Sequence, residues 1–444
     1  MRTFDDNALT PLTASLKEAE QTLQRLYPGE PEGRQPVHTV YGGAHLFQAG
    51  LAQKLGKVAL RSLEQFADGP EKLASVLGYD ARHQDLVYKR VIEKLEREPV
   101  EDFRIDFEDG YGNRSDEEED GHAVQAAEEV AVGMREGLLP PFIGIRIKTL
   151  SPELRLRSLR TLDIFVSTLV RASGGKLPSG FVITLPKVEI PEEVTTLVGF
   201  LDALEPELGL AAGSIKMEIM IESPRAIMGA DGRSNLPSFL QAAQGRCVAA
   251  HFGTYDYTAS CNITAAHQHM AHPVCDFAKH MMQVAYANSG IWISDGATNI
   301  MPVAPHRGDS ISDEERAENE RVVHGAWRLH YQHTRHSLTG GFYQGWDLHP
   351  AQLPIRYAAV FAFFLEDLDG AGERLTNFVS KAAQATLVGD VFDDAATGQG
   401  LLNYFLRAVS CGAISEEDAV RRSGVTLDEL RGRSFLRILQ ARKA

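Results

Sequence analysis

The chain has 444 residues, of which 45 are Lys or Arg and 60 are Asp or Glu, so its formal net charge is −15. This acidic balance argues against nucleic-acid binding, which requires clustered Lys and Arg, but it leaves an anionic small-molecule substrate open, because net charge does not set the field in a cleft. No apolar run approaches the ~18 residues of a membrane span, and residues 1–6 lack the basic-then-apolar pattern of a signal peptide, so we expect a cytoplasmic protein without a membrane partner.

The order of predicted elements indicates an α/β fold. Residues 9–26 have helical periodicity and end at the stop signal Tyr27-Pro28-Gly29. Strand-like runs follow at residues 37–41, 103–107, 142–147, 180–185, 215–221, 247–252, 290–293 and 341–347, most of them separated by helix-length segments. Eight βα units close a (β/α)8 TIM barrel. We therefore predict an N-terminal helix and linker over residues 1–35, a barrel over 36–365 and a small helical region over 366–444.

Polar side chains lie at the ends of several predicted strands, where (β/α)8 barrels carry their chemistry. They are Glu108 and Asp109 after the second strand, Arg146 in the third, Glu222 after the fifth and Asp256 after the sixth. A single acidic residue in such a place is more often a cap or an ion-pair partner. Two carboxylates on consecutive strand ends, Glu222 and Asp256, nevertheless suit Mg²⁺, which takes one or two protein carboxylates.

Arg146 has two interpretations. Its guanidinium could bind a substrate carboxylate through two parallel hydrogen bonds, or it could form an ion pair with Glu108 inside the barrel. Mg²⁺ beside a carboxylate-binding Arg suits a 2-oxo acid or an enolate, because the metal holds the charge that develops on oxygen when an adjacent C–C bond forms or breaks.

Several short motifs resemble the aldolase/citrate lyase β-subunit-like (HpcH/HpaI) superfamily of phosphoenolpyruvate/pyruvate-type barrels, which includes malate synthases. Residues 106–109 (DFED) resemble its D-[LF]-E-D strand, and residues 185–189 (LPKVE) resemble L-P-K-x-E. Residues 221–223 (IES) resemble the I-E-[ST] strand, whose Glu binds Mg²⁺. The resemblance therefore implies that Glu222 is one Mg²⁺ ligand and that Asp256 is the second.

Later stretches of the chain resemble two branches of this superfamily. Residues 296–302 (GATNIMP) and 345–350 (GWDLHP) are similar to malate synthases, although the third strand lacks their R-P-R-G-W run. Residues 386–393 (TLVGDVFD) resemble the citrate-lyase-like T-L-x-G-x-M-I-D, whose Asp is implicated in proton transfer and can come from a neighbouring subunit. This motif implies a homo-oligomer and maps onto Asp393, with Asp390 and Asp394 as alternatives and a helix cap as the structural interpretation.

Residues and resemblance together predict a Mg²⁺-dependent carbon–carbon lyase or aldolase that acts through an enolate on a 2-oxo or 3-hydroxy acid, either free or as a CoA thioester. The expected metal ligands are Glu222 and Asp256, the expected substrate contacts are Arg146, Gly253, Thr254 and Tyr255, and the expected catalytic residues are Asp393, Glu108 and Arg146. One alternative is a malate-synthase-like condensation of a 2-oxo acid with an acyl-CoA. Another is a catalytically inactive barrel subunit.

The sequence also allows expectations about one lysine and about three histidines of a predicted helix. Lys187 either lies beside the metal site or faces solvent, and the sequence does not decide between these places. His330, His333 and His336 recur at intervals of three on one side of a predicted helix, which favours exposed side chains.

Overall fold

The computed structural model describes residues 3–31, 33–308, 310–380, 386–388, 391–393 and 395–443. In this part of the chain eight strands form one parallel sheet. They are β1 (His38–Gly43), β2 (Asp102–Asp106), β3 (Phe142–Arg146), β4 (Phe181–Leu185), β5 (Lys216–Ile221), β6 (Cys247–Phe252), β7 (Trp292–Ser294) and β8 (Gly345–Asp347). Their order is β7-β6-β5-β4-β3-β2-β1-β8, with each hydrogen-bonded pair parallel.

The two ends of the sheet meet, which confirms the predicted barrel. The Asp295 N–H donates to the Gln344 carbonyl at 2.8 Å, and the Trp346 N–H donates to the Gly296 carbonyl at 2.9 Å. These bonds join the segment that follows β7 to β8, so the sheet is nearly closed.

Helices cover the outside of the barrel. Before and between the strands lie α1 (Asp6–Leu26), α2 (Leu51–Phe66), α3 (Pro70–Leu77), α4 (Gln84–Arg97), α5 (Asp116–Glu136), α6 (Arg155–Ala172), α7 (Pro191–Glu207), α8 (Pro224–Ile227), α9 (Leu236–Ala242), α10 (Thr254–Ser260), α11 (Pro273–Tyr286) and α12 (Asp313–Thr339). After β8 come α13 (Leu353–Glu366), α14 (Leu368–Ser380), α15 (Ala395–Ser410), α16 (Glu416–Ser423), α17 (Leu427–Arg431) and α18 (Phe435–Lys443). Single 3-10 turns lie at Ala44–Leu46, Ala81–His83, Ala265–His267 and Pro350–Gln352. None of the helices described has both the length and the apolar character that a membrane span needs.

Two local elements differ from the sequence prediction. β8 begins at Gly345, whereas a strand over residues 341–347 is predicted. Gly341 has φ +80°, and Phe342 donates its N–H to the Ser337 carbonyl at 2.8 Å, so these residues end α12 in a Schellman-type cap. Within the region predicted to be all helical, Thr386–Val388 (β9) and Val391–Asp393 (β10) pair as antiparallel strands, because β-branched and aromatic residues favour strands.

A buried polar layer inside the barrel lies beneath the ends of the strands. Arg104 of β2 reaches across to Glu218 of β5, with Nε donating to Oε1 at 2.7 Å and Nη2 donating to Oε2 at 2.8 Å. His251 of β6 has its Nε2 atom 3.1 Å from Glu218, and its Nδ1 atom accepts a hydrogen bond from Trp346 at 3.1 Å. Paired charges of this kind hold the strands in one register, which fixes the positions of the residues that follow β2, β5 and β6.

Candidate functional site

Apart from Asp393, the residues predicted to carry the chemistry lie at the carboxyl-terminal face of the barrel. Asp106 and Arg146 are direct register partners at the ends of β2 and β3. Ile221 and Phe252 are partners at the ends of β5 and β6, with Glu222 directly after Ile221 and Asp256 four residues after Phe252. Adjacent parallel strands therefore bring these side chains to one place, as (β/α)8 barrels do.

Arg146 is buried and is held mainly by Asp106. Its Nε donates to Asp106 Oδ1 at 2.7 Å and its Nη2 to Oδ2 at 2.5 Å, while Nη1 lies 3.3 Å from Glu108 Oε2. The Asp106 carboxylate also accepts the backbone N–H groups of Glu108 and Gly110, at 3.0 and 2.7 Å. The ion pair with Glu108 is therefore present. The predicted pair of parallel hydrogen bonds to a substrate carboxylate is not available at the Nε–Nη2 edge of the guanidinium, because Asp106 already occupies that edge. The Nη1 group faces the site.

Asp106 is the residue of this site that the sequence analysis missed. The sequence does contain a pattern that could have identified Asp106 as the partner of Arg146. Asp106 begins the DFED motif, and its strand lies next to the strand of Arg146 in the barrel. Two oppositely charged residues at the ends of neighbouring parallel strands are expected to pair.

Aromatic rings lie beneath Arg146. Its guanidinium carbon is 4.8 Å from the centroid of the Tyr41 ring, and the Trp346 ring lies beside Tyr41 with a centroid separation of 4.8 Å. The Tyr41 hydroxyl is buried and has no hydrogen-bond partner among the described residues. Burial raises the pKa of Tyr41 well above its usual range. Two aromatic rings therefore line the site beneath Arg146.

Glu222 is the most perturbed carboxyl group of the site. It is 3% exposed, and its Oε1 accepts the backbone N–H of Lys187 at 3.0 Å. Burial, followed by the charge of Asp256, raises the pKa of Glu222 to about 8. Asp256 lies in the first turn of α10, and its side chain is 44% exposed. The two expected metal ligands are thus close enough to repel each other, and only one of them is open to solvent.

Gly253 makes room for this arrangement. A Cβ atom at position 253 would lie 2.4 Å from Oε2 of Glu222, closer than any side chain tolerates. Its N–H donates to the Ile221 carbonyl at 3.0 Å, which continues the β5–β6 pairing. The absence of a side chain is what Gly253 contributes to the site.

Thr254 and Tyr255 face the protein interior and the loop after β7. The Thr254 hydroxyl is buried and has no partner among the described residues. The Tyr255 hydroxyl donates to the Ala297 carbonyl at 2.8 Å and accepts the Asn299 N–H at 3.1 Å. Both hydrogen bonds of this hydroxyl stay within the protein, so the geometry suits a positioning role for Tyr255 better than substrate contact.

Lys187 lies inside the carboxylate cluster and is only 29% exposed. Its ammonium is 2.6 Å from Glu108, 3.1 Å from Asp109 and 3.6 Å from Asp256. Burial lowers the pKa of Lys187, but the hydrogen bond and charge of Glu108 outweigh it, so the pKa lies above its usual range. For Glu108 burial dominates and raises the pKa in spite of Arg146. Because its own pKa is raised, Lys187 remains protonated.

The predicted proton-transfer residue stays a prediction. The backbone of Asp393 ends β10, but its side chain lies outside the part of the structure that is described. The alternatives Asp390 and Asp394 also lie outside the described residues.

The prediction that three histidines are exposed was wrong for two of them. His330 and His333 are buried, whereas the side chain of His336 is 41% exposed. The Thr298 hydroxyl lies 3.1 Å from Nδ1 of His330 and 3.0 Å from Nδ1 of His333, and Nε2 of His330 is 3.0 Å from Asp347. Burial lowers the pKa of both, that of His333 to about 4. These neutral rings satisfy polar groups between α12 and the barrel.

The chemistry of the donor set fits a hard divalent cation. The described residues contain no group of three or more His, Cys, Asp or Glu side chains arranged around a metal position. Mg²⁺ needs only one or two protein carboxylates, with water and substrate oxygens completing its shell. Five carboxylates meet here, those of Asp106, Glu108, Asp109, Glu222 and Asp256, against the two cations Arg146 and Lys187. Burial, followed by the charge of Asp256, raises the pKa of Glu222, so a cation held beside it would favour its ionised form.

Comparison with solved structures found the same architecture. A citrate lyase from Burkholderia xenovorans LB400 is similar with a TM-score of 0.55 and 20% identity, over 88% of this chain and 97% of that one. A malate synthase magnesium/glyoxylate complex from Haloferax volcanii has a TM-score of 0.47 and 15% identity, over 89% and 97%. The CitE protein from Mycobacterium tuberculosis, in complex with magnesium, acetoacetate and coenzyme A, has a TM-score of 0.45 and 15% identity, over 88% and 99%.

The likeness to the citrate lyase confirms the fold that the sequence resemblance implied. A comparison with curated protein sequences found no match. Residues 16–438 match the family model described as "Domain of unknown function (DUF6986)". Because this match spans nearly the whole chain, the protein belongs to the DUF6986 family.

Proposed function

We propose that this protein is a Mg²⁺-dependent carbon–carbon lyase or aldolase that acts through an enolate on a 2-oxo or 3-hydroxy acid. The observation that carries the proposal is the position of buried Glu222 beside Asp256, where burial, followed by the charge of Asp256, raises the pKa of Glu222 to about 8. Such a pair is poorly neutralised by the protein alone and suits a bound dication. The fold shared with a citrate lyase and the motif resemblance add support.

Glu222 and Asp256 would hold the metal. A Mg²⁺ ion there would supply the positive charge that stabilises an enolate oxygen. The Nη1 group of Arg146, which lies 3.3 Å from Glu108, would bind the substrate carboxylate, and Asp106 would keep the guanidinium in place through its two hydrogen bonds.

The protonated state of Lys187 favours metal chemistry over imine chemistry. An amine must lose its proton before it can attack a carbonyl carbon. The carboxylates around Lys187 hold its ammonium form, with the shortest contact, to Glu108, at 2.6 Å. Glu108, whose pKa burial raises, is a candidate for proton movement beside the substrate. Asp393 is the other candidate, on the motif resemblance alone.

The test is formation of a 2-oxo acid from a panel of 3-hydroxy acids and their CoA thioesters, with Mg²⁺ and with EDTA. We expect Mg²⁺-dependent turnover that Glu222→Gln abolishes and that Glu189→Gln, a change at an exposed rim carboxylate paired with Arg225, leaves intact. Release of free CoA from acetyl-CoA and glyoxylate at a catalytic rate would favour condensation instead. No turnover and no Mg²⁺ binding would indicate an inactive barrel.

A further inference from the structure

Lys187 contacts four of the five carboxylates of the site, one through its backbone and three through its ammonium group. Its backbone N–H donates to Glu222 at 3.0 Å, and its ammonium lies 2.6 Å from Glu108, 3.1 Å from Asp109 and 3.6 Å from Asp256. Its backbone φ is +53°, a left-handed conformation that non-glycine residues rarely adopt. This conformation lets one residue turn both groups into the cluster, and strained backbone of this kind often occurs at functional sites.

The Lys187 ammonium and a divalent cation at the proposed site would both interact with the carboxylate of Asp256. Asp256 is a proposed metal ligand and is also the most distant ion partner of Lys187, at 3.6 Å. A metal held by Glu222 and Asp256 would bring two positive charges close to the ammonium. Repulsion at this range in a partly buried site is large, so the two cations cannot share Asp256 without a loss of binding free energy.

We propose that Lys187 is the resident counter-cation of the metal site. Its ammonium neutralises Glu108, Asp109 and Asp256 when no metal is present, and it must release Asp256 when a divalent cation binds. Lys187 therefore stabilises the metal-free protein and weakens its affinity for the metal. This inference rests on the metal site of the proposed function. It predicts a separate effect, because removal of the Lys187 charge from the centre of the site should increase the affinity for the metal.

The experiment is a calorimetric titration of the full chain with MgCl₂, which reads metal binding without any turnover. Lys187→Met keeps the length of the side chain without its charge, Lys187→Arg keeps the charge, and Lys176→Met removes a charge from an exposed loop before β4, at the opposite face of the barrel. We expect Lys187→Met to bind Mg²⁺ at least about tenfold more tightly than the wild type and to melt at a lower temperature without metal. Lys187→Arg should bind Mg²⁺ weakly, as the wild type does, and Lys176→Met should not differ from the wild type.

The outcomes separate this inference from the proposed function. If the wild type binds Mg²⁺ and Lys187→Met binds it equally or more weakly, Lys187 is not a competitor, and the metal site stands without it. If neither protein binds Mg²⁺, both proposals are wrong. Tight binding by Lys187→Met alone would support the competition directly. Should Lys187→Met not fold, Lys187→Gln, which is neutral and polar, is titrated in its place under the same expectation.

Discussion

The raised pKa of Glu222 makes stability in the absence of metal depend on pH in a direction that can be measured. A carboxyl group that ionises at 4.5 in the unfolded chain and at about 8 in the folded protein binds its proton more tightly when folded. Its stabilising effect is complete below the unfolded pKa and is lost as pH rises through about 8. The separation of the two values sets an upper limit of about 5 kcal/mol on this loss.

The perturbation that tests this reasoning is Glu222→Gln, which keeps the shape of the side chain but removes its titration. In urea unfolding with EDTA, the free energies of unfolding of wild type and variant should differ little at pH 5. Between pH 6 and pH 9 the variant should become more stable relative to the wild type. Glu189→Gln, at a carboxylate of which 37% is exposed, is the control. A difference between wild type and Glu222→Gln that is the same at pH 5 and pH 9 would refute the reasoning, because it would show that Glu222 ionises freely in the folded protein.

Three further substitutions test the geometry around this carboxylate. Asp106→Asn removes the carboxylate that binds Nε and Nη2 of the buried Arg146 and leaves its longer contact with Glu108, so we expect a loss of about 3–5 kcal/mol in urea unfolding. Gly253→Ala places a Cβ 2.4 Å from Glu222, so Mg²⁺ affinity in a calorimetric titration should fall by at least about tenfold. Tyr255→Phe removes both hydrogen bonds to the loop after β7, so this loop should be cleaved faster in limited proteolysis, with a stability loss of about 1–3 kcal/mol.

For each of these three predictions, one experimental result would contradict it. Gly199→Ala, in α7 with open space around the new Cβ, is the control for Gly253→Ala and should leave Mg²⁺ affinity unchanged. Equal Mg²⁺ affinity in both alanine variants would mean that Gly253 does not shape the carboxylate position. An Asp106→Asn protein as stable as the wild type would show that Arg146 finds another partner. If the loop after β7 is cleaved at the same rate in Tyr255→Phe as in the wild type, Tyr255 does not position this loop.

The barrel was predictable because its strands are separate apolar runs with helix-length segments between them. Parallel pairing then places the ends of all strands on one face, which is why Glu108, Arg146, Glu222 and Asp256 could be assigned to one site. The start of β8 and the β9–β10 pair were harder to predict, because a left-handed cap at Gly341 and local strand pairing depend on backbone geometry that hydrophobic periodicity does not reveal.

The details of the site depended on tertiary contacts. The four contacts of Lys187 follow from a φ of +53°, which residue type alone does not indicate for lysine. A spacing of three residues showed that His330 and His333 share a helix side but could not show that the barrel covers that side. In the same way, the type of residue at position 146 predicted a carboxylate partner, but only the register with Asp106 shows which carboxylate it binds.

The central claim is that Glu222 and Asp256 together hold a divalent cation, and a titration with MgCl₂ at pH 8.5 tests it most directly. The wild type should bind one Mg²⁺, Glu222→Gln and Asp256→Asn should each bind it at least about tenfold more weakly, and Glu189→Gln should match the wild type. Absence of Mg²⁺ binding in the wild type, or equal affinity in all four proteins, would contradict the account.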